Sequence, residues 1–374
     1  MKHRLRVLLV SPVGEHGGAE QVFLSLANHL PQWEIEPVLA CLRPGPLMEL
    51  AQKQQLPAHA FREHRFRQFA LVLRGILWLT RVIRDAKIDV LHSNHAAHLY
   101  SGLAGKLTHV PELWHIHDYP YRRDGIDRLL ERLPNRYVLF TTERVKSGYP
   151  QLHKRPHSIV HPVCVEPERL RAFAPCGDVR ARLGLPSGPL FLTVARLQEH
   201  KGHRYLIEAV PRILQHSPGA VFAIVGRAKG AEQEAYQREL QAFCDQQQVA
   251  PQVKFLGYVS EPDVVALYRE ATALLHPATS EGFGLTLLEA MALGTPVLAA
   301  DADGPREILQ STDAGVLFAR GDSDALASAV WRFLEDRNLR DSVRRNADAY
   351  IAGNRVETMV QQTTEVYHKL RTQY

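Results

Sequence analysis

Cysteine is scarce in this 374-residue chain: Cys41, Cys164, Cys176 and Cys244 are scattered, and no two form a CxxC pair. That excludes a disulfide scaffold or a thiolate metal site read from spacing, and fits a reducing, cytoplasmic compartment. Long apolar runs are also missing. Nothing reaches the roughly 18 uninterrupted apolar residues that span a bilayer, so any membrane contact is expected to be peripheral. The opening "MKHRLRVLLVSPVG" has an apolar run too short for a secretory leader, and Leu5 to Val10 read as a first strand. The turn after that strand lacks GxGxxG, which argues against a nicotinamide dinucleotide enzyme. No short-period repeat is present, which excludes a solenoid.

What is present is an ordinary globular composition, 45% hydrophobic and 23% charged. The net charge of +5 is uneven. Residues 1–170 hold 23 Lys and Arg against 16 Asp and Glu, and the remainder 22 against 24. The first half therefore suits an anionic partner such as a phosphorylated substrate or a lipid surface, although a few excess charges also arise by chance; a nucleic-acid partner is not expected.

Short apolar runs alternate with longer helical segments, the signature of parallel sheets with crossover helices. "RVLLV", "EPVLA", "IDVLH", "ELWHI" and "YVLFT" are strand candidates in the first half. "LFLTV", "VFAIV", "VKFL", "TALLH", "PVLAA" and "GVLF" follow in the second. The length predicts two domains, residues 1–168 and 169–353. Between them "HPVCVEPERLRAFAPCGDVRARLGLPSGP" reads as a linker. The final segment, 354–374, places Val356, Val360, Thr363, Val366, Tyr367 and Leu370 on one helical face, with Asn354 as its cap.

The densest chemistry lies at 276–297. A strand ends at His276, "PATSEGFG" turns, and a helix follows. Ligands of open parallel sheets sit at strand carboxyl ends, where helix starts expose N–H groups suited to phosphate. Glu281 and Glu289 flank that start, and carboxylates accept hydrogen bonds from sugar hydroxyls. Read alone, the pair equally fits a helix-dipole carboxylate and a solvated face. "LFLTVARLQEHKG" places Arg196 and Lys201 at another strand end, where two cations neutralise a diphosphate without a metal. "VFAIVGRAKG" ends a strand at Gly226, a place where backbone must approach something closely. "SPVGEHGGAE" sets Gly14, Gly17 and Gly18 between the first strand and helix.

Together "GGAE", "ARLQEHKG", "AIVGRAKG" and "EGFGLTLLEAMALGTPV", in this order, resemble the GT-B-fold retaining nucleotide-sugar glycosyltransferases of family 4. The resemblance implies an α/β protein of two Rossmann-like, doubly wound domains facing a central cleft, with acceptor bound to the first and nucleotide-sugar donor to the second. It implies that Arg196 and Lys201 grip the donor diphosphate, capped by the amides of Phe283, Gly284 and Leu285. Glu289 would hold the ribose and Glu281 the transferred sugar, with Gly17, Gly18 and Gly226 also lining the donor. His117 in "ELWHIHDYP" matches the family's active-site histidine. His16, Asn94, His95 and Tyr119 to Arg123 are acceptor candidates.

Ala195 replaces a usual glycine, "HPVC" replaces a usual Asn-Gly-Val-Asp turn, and Asp303-Gly304 stands where two glycines are typical. The last borders the expected diphosphate pocket. Asp301 and Asp303 resemble a metal-binding DxD, and His92, His95, His98, His115 and His117 are dense enough to suggest zinc. The former belongs to a different fold and the latter match no standard spacing. The expectation is a transferase needing no metal or cofactor. A nucleotide-sugar epimerase or hydrolase and a noncatalytic sugar-nucleotide-binding subunit are the alternatives.

Residues 62–84 form one further feature. Arg67, Arg74 and Arg81 recur every seven residues, with Phe69, Leu73, Ile76, Leu77 and Val82 around them. This reads either as an amphipathic helix with a solvated arginine edge or as a surface for anionic membrane at an inner membrane face.

Overall fold

The computed structural model describes residues 4–14, 17–61, 69–120, 125–174 and 177–373. His16, Arg67, Tyr121 to Arg123 and Cys176 lie outside them. The chain forms two compact units, Met1–Cys164 with Val356–Tyr374, and Val165–Arg355.

The first unit carries β1 (Leu5–Ser11), β2 (Ile35–Cys41), β3 (Ala58–Ala60), β4 (Val90–Asn94), β5 (Glu112–Ile116), β6 (Tyr137–Phe140) and β7 (His157–Ile159). They pair in the order β3-β2-β1-β4-β5-β6-β7, and every pairing is parallel. The second carries β8 (Leu190–Val194), β9 (Val221–Val225), β10 (Val253–Gly257), β11 (Ala273–His276), β12 (Val297–Ala300) and β13 (Val316–Phe318). Their order is β10-β9-β8-β11-β12-β13, again parallel throughout. Both sheets are doubly wound, and each reverses direction once: between β1 and β4 in the first, between β8 and β11 in the second. Parallel strands covered on both faces must be largely apolar, which is why most of their sequences read as apolar runs. Helices cover the second sheet with Leu206, Ile207, Val210, Leu326, Val330 and Phe333, all buried in its core.

β3 and β7 have no counterpart among the sequence-predicted strands. Each is three residues long at a sheet edge, and "AHA" and "HSI" lack an apolar run. The predicted linker carries helices Pro167–Ala172 and Val179–Arg182. Arg269 donates to the carbonyls of Leu170, Arg171 and Phe173, and Arg171 donates to that of Ala292, so this stretch is pinned to the second unit.

The last helix, Val356–Gln373, buries Val356, Val360, Thr363, Val366, Tyr367 and Leu370, with Met359 and Thr364 beside them. It packs against helix Gly18–His29 and β4. Asn354 does not cap it. Its backbone N–H and its Nδ2 both donate to Tyr350 O, closing the preceding helix Arg337–Gly353. Among the described residues no helix is long and apolar enough to cross a membrane; Cys41, Cys164 and Cys244 are buried, the first and last as free thiols.

Candidate functional site

The β8/β11 reversal in the second unit is where a doubly wound sheet opens a crevice at its strand ends. Arg196 follows β8, Lys201 closes a 3₁₀ turn Glu199–Lys201, and Glu281 follows β11. The two loops are locked together. The Thr279 N–H donates to His200 O at 2.8 Å, and Thr193 Oγ1 donates to Leu275 O at 2.8 Å. Gly202 has φ +73°, and a Cβ there would sit 2.0 Å from Pro277 O, so the two loops approach with no room for a side chain.

Lys201 Nζ donates to Glu281 Oε2 at 2.9 Å, and His276 Nε2 lies 3.2 Å from the same oxygen. The Lys201 and Glu281 side chains are 13% and 16% exposed. Burial alone would raise the Glu281 pKa, but the Lys201 charge and His276 hold it well below the usual carboxylate range. Lys201 is thus neutralised in place. Arg196 is exposed and pairs with no carboxylate among the described residues.

Helix Leu285–Ala292 begins at Gly284, whose φ of +105° is left-handed. Phe283 is buried at 4% exposure. Helix geometry leaves the first N–H groups without partners inside the helix, so Gly284 and Leu285 sit where an anion is favoured. Beside the Asp303 departure, the glycine that is kept has a steric reason: a Cβ on Gly304 would lie 2.3 Å from Phe283 backbone, and the Gly304 N–H donates to Glu281 O at 3.0 Å. Glycine is needed at 304 to seat the Gly-Phe-Gly turn.

Glu289 lies in the second turn of that helix. Burial raises its pKa to about 7; the Tyr268 hydrogen bond opposes this, Glu261 adds to it, and Arg169 opposes it. The buried Tyr268 hydroxyl donates to Glu289 Oε2 at 3.1 Å.

Gly226 has a different explanation from ligand approach. A Cβ there would lie 1.9 Å from Ala195 O, so what its backbone approaches is the turn after β8. Asp301 is held by Arg306 through two hydrogen bonds of 2.5 Å, and Asp303 lies 4.0 Å from Arg320. Among the described residues no group of three or more His, Cys, Asp or Glu is arranged to hold a metal.

In the first unit the reversal lies between β1 and β4. Gly17 precedes helix Gly18–His29, and a Cβ on Gly17 would lie 2.8 Å from Glu20 Oε2. Glu20 is itself buried in the first helical turn and accepts from Ser11 Oγ at 3.0 Å. On β4 and β5 the side chains alternate faces. Glu112, buried on one face, accepts from Ser93 Oγ at 2.6 Å and from Ser101 Oγ, and pairs with His98 Nδ1 at 2.9 Å. His92, Asn94 and His115 lie on the other face, followed by His117. The five histidines therefore do not share one point: His98 lies with Glu112 on one face, and His92, His115 and His117 stack on the other. His95, just beyond β4, is exposed and held at φ +44°, a strained conformation for a non-glycine residue. His117 stacks on His115 with centroids 4.0 Å apart, and burial followed by the His95 charge lowers its pKa to about 3. It is neutral at physiological pH.

Sequence reasoning named neither His276 nor Tyr268 as site residues. His276 ends β11 five positions before Glu281, a spacing that offered a signal. Tyr268 lies on helix Glu261–Glu270, 21 positions from Glu289, and only the fold brings them together.

Two family models match the chain, one described as Glycosyltransferase Family 4 over residues 16–147 and one as Glycosyl transferases group 1 over 178–350. The chain is 33% identical over 178 residues to the lipopolysaccharide core biosynthesis mannosyltransferase LpcC of Rhizobium leguminosarum bv. viciae, covering 47% of this chain and 49% of that protein. It is 26% identical over 397 residues to a D-inositol 3-phosphate glycosyltransferase of Streptomyces scabiei, covering 95% and 86%. It spans 39% to 49% of the length of four curated relatives that match more strongly. The fold is that of Anabaena Alr3699/HepE, solved in complex with UDP-glucose, with a TM-score of 0.84 at 23% identity over 98% of this chain and 100% of that one.

Proposed function

This chain belongs to the family-4-like glycosyltransferases of the GT-B fold, and from that premise we propose that it moves a sugar from a nucleoside diphosphate donor to an acceptor hydroxyl, retaining the anomeric configuration. The observation that carries this is the clustering of Arg196, the Lys201–Glu281 pair, the helix start at Gly284 and the half-buried Glu289 around one sheet reversal.

Departure of the diphosphate from C1 builds negative charge on phosphate oxygens. Arg196, Lys201 and the amides at Phe283, Gly284 and Leu285 are the groups proposed to meet that charge, contributing more as it develops than in the ground state. When Lys201 turns to phosphate, Glu281 is freed to accept from hydroxyls of the moving sugar. Glu289 is proposed for the ribose. His117, neutral, suits hydrogen bonding to a sugar hydroxyl rather than charge stabilisation. His16, Asn94 and His95 are proposed for the acceptor.

Retention is proposed to follow front-face attack, in which a donor phosphate oxygen takes the acceptor proton, because no carboxylate of the site is assigned as a nucleophile. Trapping a glycosyl-enzyme adduct would refute that route. The relatives' names point to cell-envelope glycans or inositol-linked acceptors. A panel of UDP-, GDP- and ADP-sugars, screened for binding and then for transfer with and without EDTA, tests the whole reading. Isomerised or freed sugar without acceptor would favour the epimerase or hydrolase alternative, binding without turnover a noncatalytic subunit, and EDTA-sensitive transfer would overturn metal independence.

Peripheral membrane contact is a second proposal, motivated by helix Phe69–Asp85. Ile76, Leu79, Val82 and Ile83 are buried, yet Leu73 and Leu77 are 50% and 55% exposed beside exposed Arg74 and Arg81. Apolar tips among arginines suit an anionic bilayer surface. Flotation with anionic liposomes checks it, and a lipid-free fraction holding all the protein ends the idea.

A further inference from the structure

Three buried aromatic side chains of the first unit form a chain that the transfer chemistry above does not use. Tyr367, on the last helix, lies 2.5 Å from His92 Nδ1 through its hydroxyl. His92 Nε2 lies 3.1 Å from His115 Nδ1. The His92 and His115 rings stack at 5.2 Å, Phe23 packs edge-on against His92 at 4.8 Å, and His117 stacks on His115. Tyr367, His92 and His115 are all fully buried.

Donor and acceptor counting fixes the direction of this chain. Burial lowers the pKa of both His92 and His115 well below 6.5, so each is neutral with one N–H and one bare nitrogen. Tyr367 keeps its proton, since burial raises its pKa. Among the described residues the Tyr367 hydroxyl has no hydrogen-bond partner but His92, and a buried O–H left without an acceptor is costly. Tyr367 therefore donates to His92 Nδ1. His92 must then carry its proton on Nε2 and donate to His115 Nδ1. His115, its Nδ1 occupied as acceptor, must carry its own proton on Nε2.

That end of the chain is unsatisfied. His115 Nε2, His117 Nε2 and both polar atoms of the Asn94 side chain are buried and have no partner among the described residues. Asn94 and His115 are register partners at the carboxyl ends of β4 and β5. Buried polar groups are rarely left unpaired unless something else meets them.

We propose that Tyr367 is a positioning residue: acting through His92, it fixes His115 as the Nε2–H tautomer and locks the ring on which His117 stacks, so that Asn94, His115 and His117 form a preset group for hydroxyls of a sugar or acceptor. The role of His117 in this statement rests on the transferase reading; the direction of the chain does not.

The test is a long-range proton–nitrogen correlation spectrum of the full chain labelled at histidine, with His115 assigned through His115→Gln. The wild-type spectrum should show His115 protonated at Nε2 and bare at Nδ1. In Tyr367→Phe, His92 loses its donor and is free to reverse, so His115 should lose that single tautomer. A wild-type His115 protonated at Nδ1 overturns the proposal, even if the variant fails to fold. So does an unchanged His115 signal in Tyr367→Phe. These readings require no turnover, so a failure of the transferase assignment leaves them intact. Where transfer is measured, Tyr367→Phe should lower kcat about fivefold while UDP affinity by calorimetry stays within about twofold. Equal losses in both would mark a merely structural residue and overturn the positioning role.

Discussion

Replacing Lys201 by methionine isolates the central electrostatic pair. The substitution keeps much of the side-chain volume and leaves Glu281, only 16% exposed, without its cation. Removing one partner of a buried ion pair costs about 3–5 kcal/mol, mainly because the remaining charge is stranded. Here His276 stays 3.2 Å away and offers partial compensation, which places the expected loss at about 2–4 kcal/mol. For a domain of this size that is a fall of about 5–15 °C in the melting temperature of the second unit. Glu281→Gln should cost less, because Lys201 has a long flexible stem with which to reach water. The double variant should recover at least about 1.5 kcal/mol relative to the sum of the singles, the signature of direct coupling. Urea unfolding of the four proteins provides the measurement. The acid limb supplies a sign check. Glu281 is held below the usual carboxylate range, so its contribution is present above that range and is lost as the pH falls below it toward the lowered folded pKa, and Glu281→Gln should flatten the acid limb. Additive single costs with an unchanged acid limb would refute the pairing argument.

Glu289 should behave in the opposite sense. Its folded pKa is raised to about 7, so its contribution is full in acid and lost as the pH rises toward neutrality, and Glu289→Gln should remove that slope in urea unfolding between about pH 5 and about pH 8. If it also binds ribose, wild-type affinity for UDP by calorimetry should strengthen on passing above pH 7, and Glu289→Gln should not share the effect. Arg196→Ala, which removes an exposed cation that pairs with no carboxylate among the described residues, should leave the melting temperature almost unchanged and lower kcat about a hundredfold, as loss of a group that meets developing charge does; an unaltered kcat in a steady-state assay would count against its role. Gly226→Ala should destabilise by about 1–3 kcal/mol or more, because its Cβ meets Ala195 O; a wild-type melting curve would remove the steric account.

Eleven of the thirteen strands among the described residues are legible as mainly apolar runs because parallel strands are covered by helices on both faces, even where β4 and β5 carry buried polar side chains. β3 and β7 escape because an edge strand of three residues makes few ladder bonds and has no need of an apolar signature. Asn354 shows the limit of a local rule: an asparagine between two helices fits either as a start or as a stop, and only the geometry shows that it bonds back to Tyr350. The stripe on the last helix was readable at 3.6-residue spacing. That it presses Tyr367 against His92, 275 positions away, was not.

The same division applies within the site. Glu281 and Glu289 stand out in sequence as two carboxylates around a glycine turn, and their shared spacing suggests a shared role. Their environments separate them. Glu281 meets a lysine and a histidine contributed by neighbouring strand ends, and these keep it ionised despite burial. Glu289 meets a tyrosine hydroxyl and a second carboxylate, Glu261, in a more weakly compensated setting, and its proton is held to about pH 7. None of those partners lies within the segment "SEGFGLTLLEAMALG". Residue type and spacing therefore establish which groups line the sheet reversal, whereas the protonation each group brings to it is decided by residues that the chain delivers from Lys201, Glu261, Tyr268 and His276. Two carboxylates one helical turn and a loop apart thus become chemically distinct: one an anion paired with Lys201, the other a group that is fully ionised only above neutral pH.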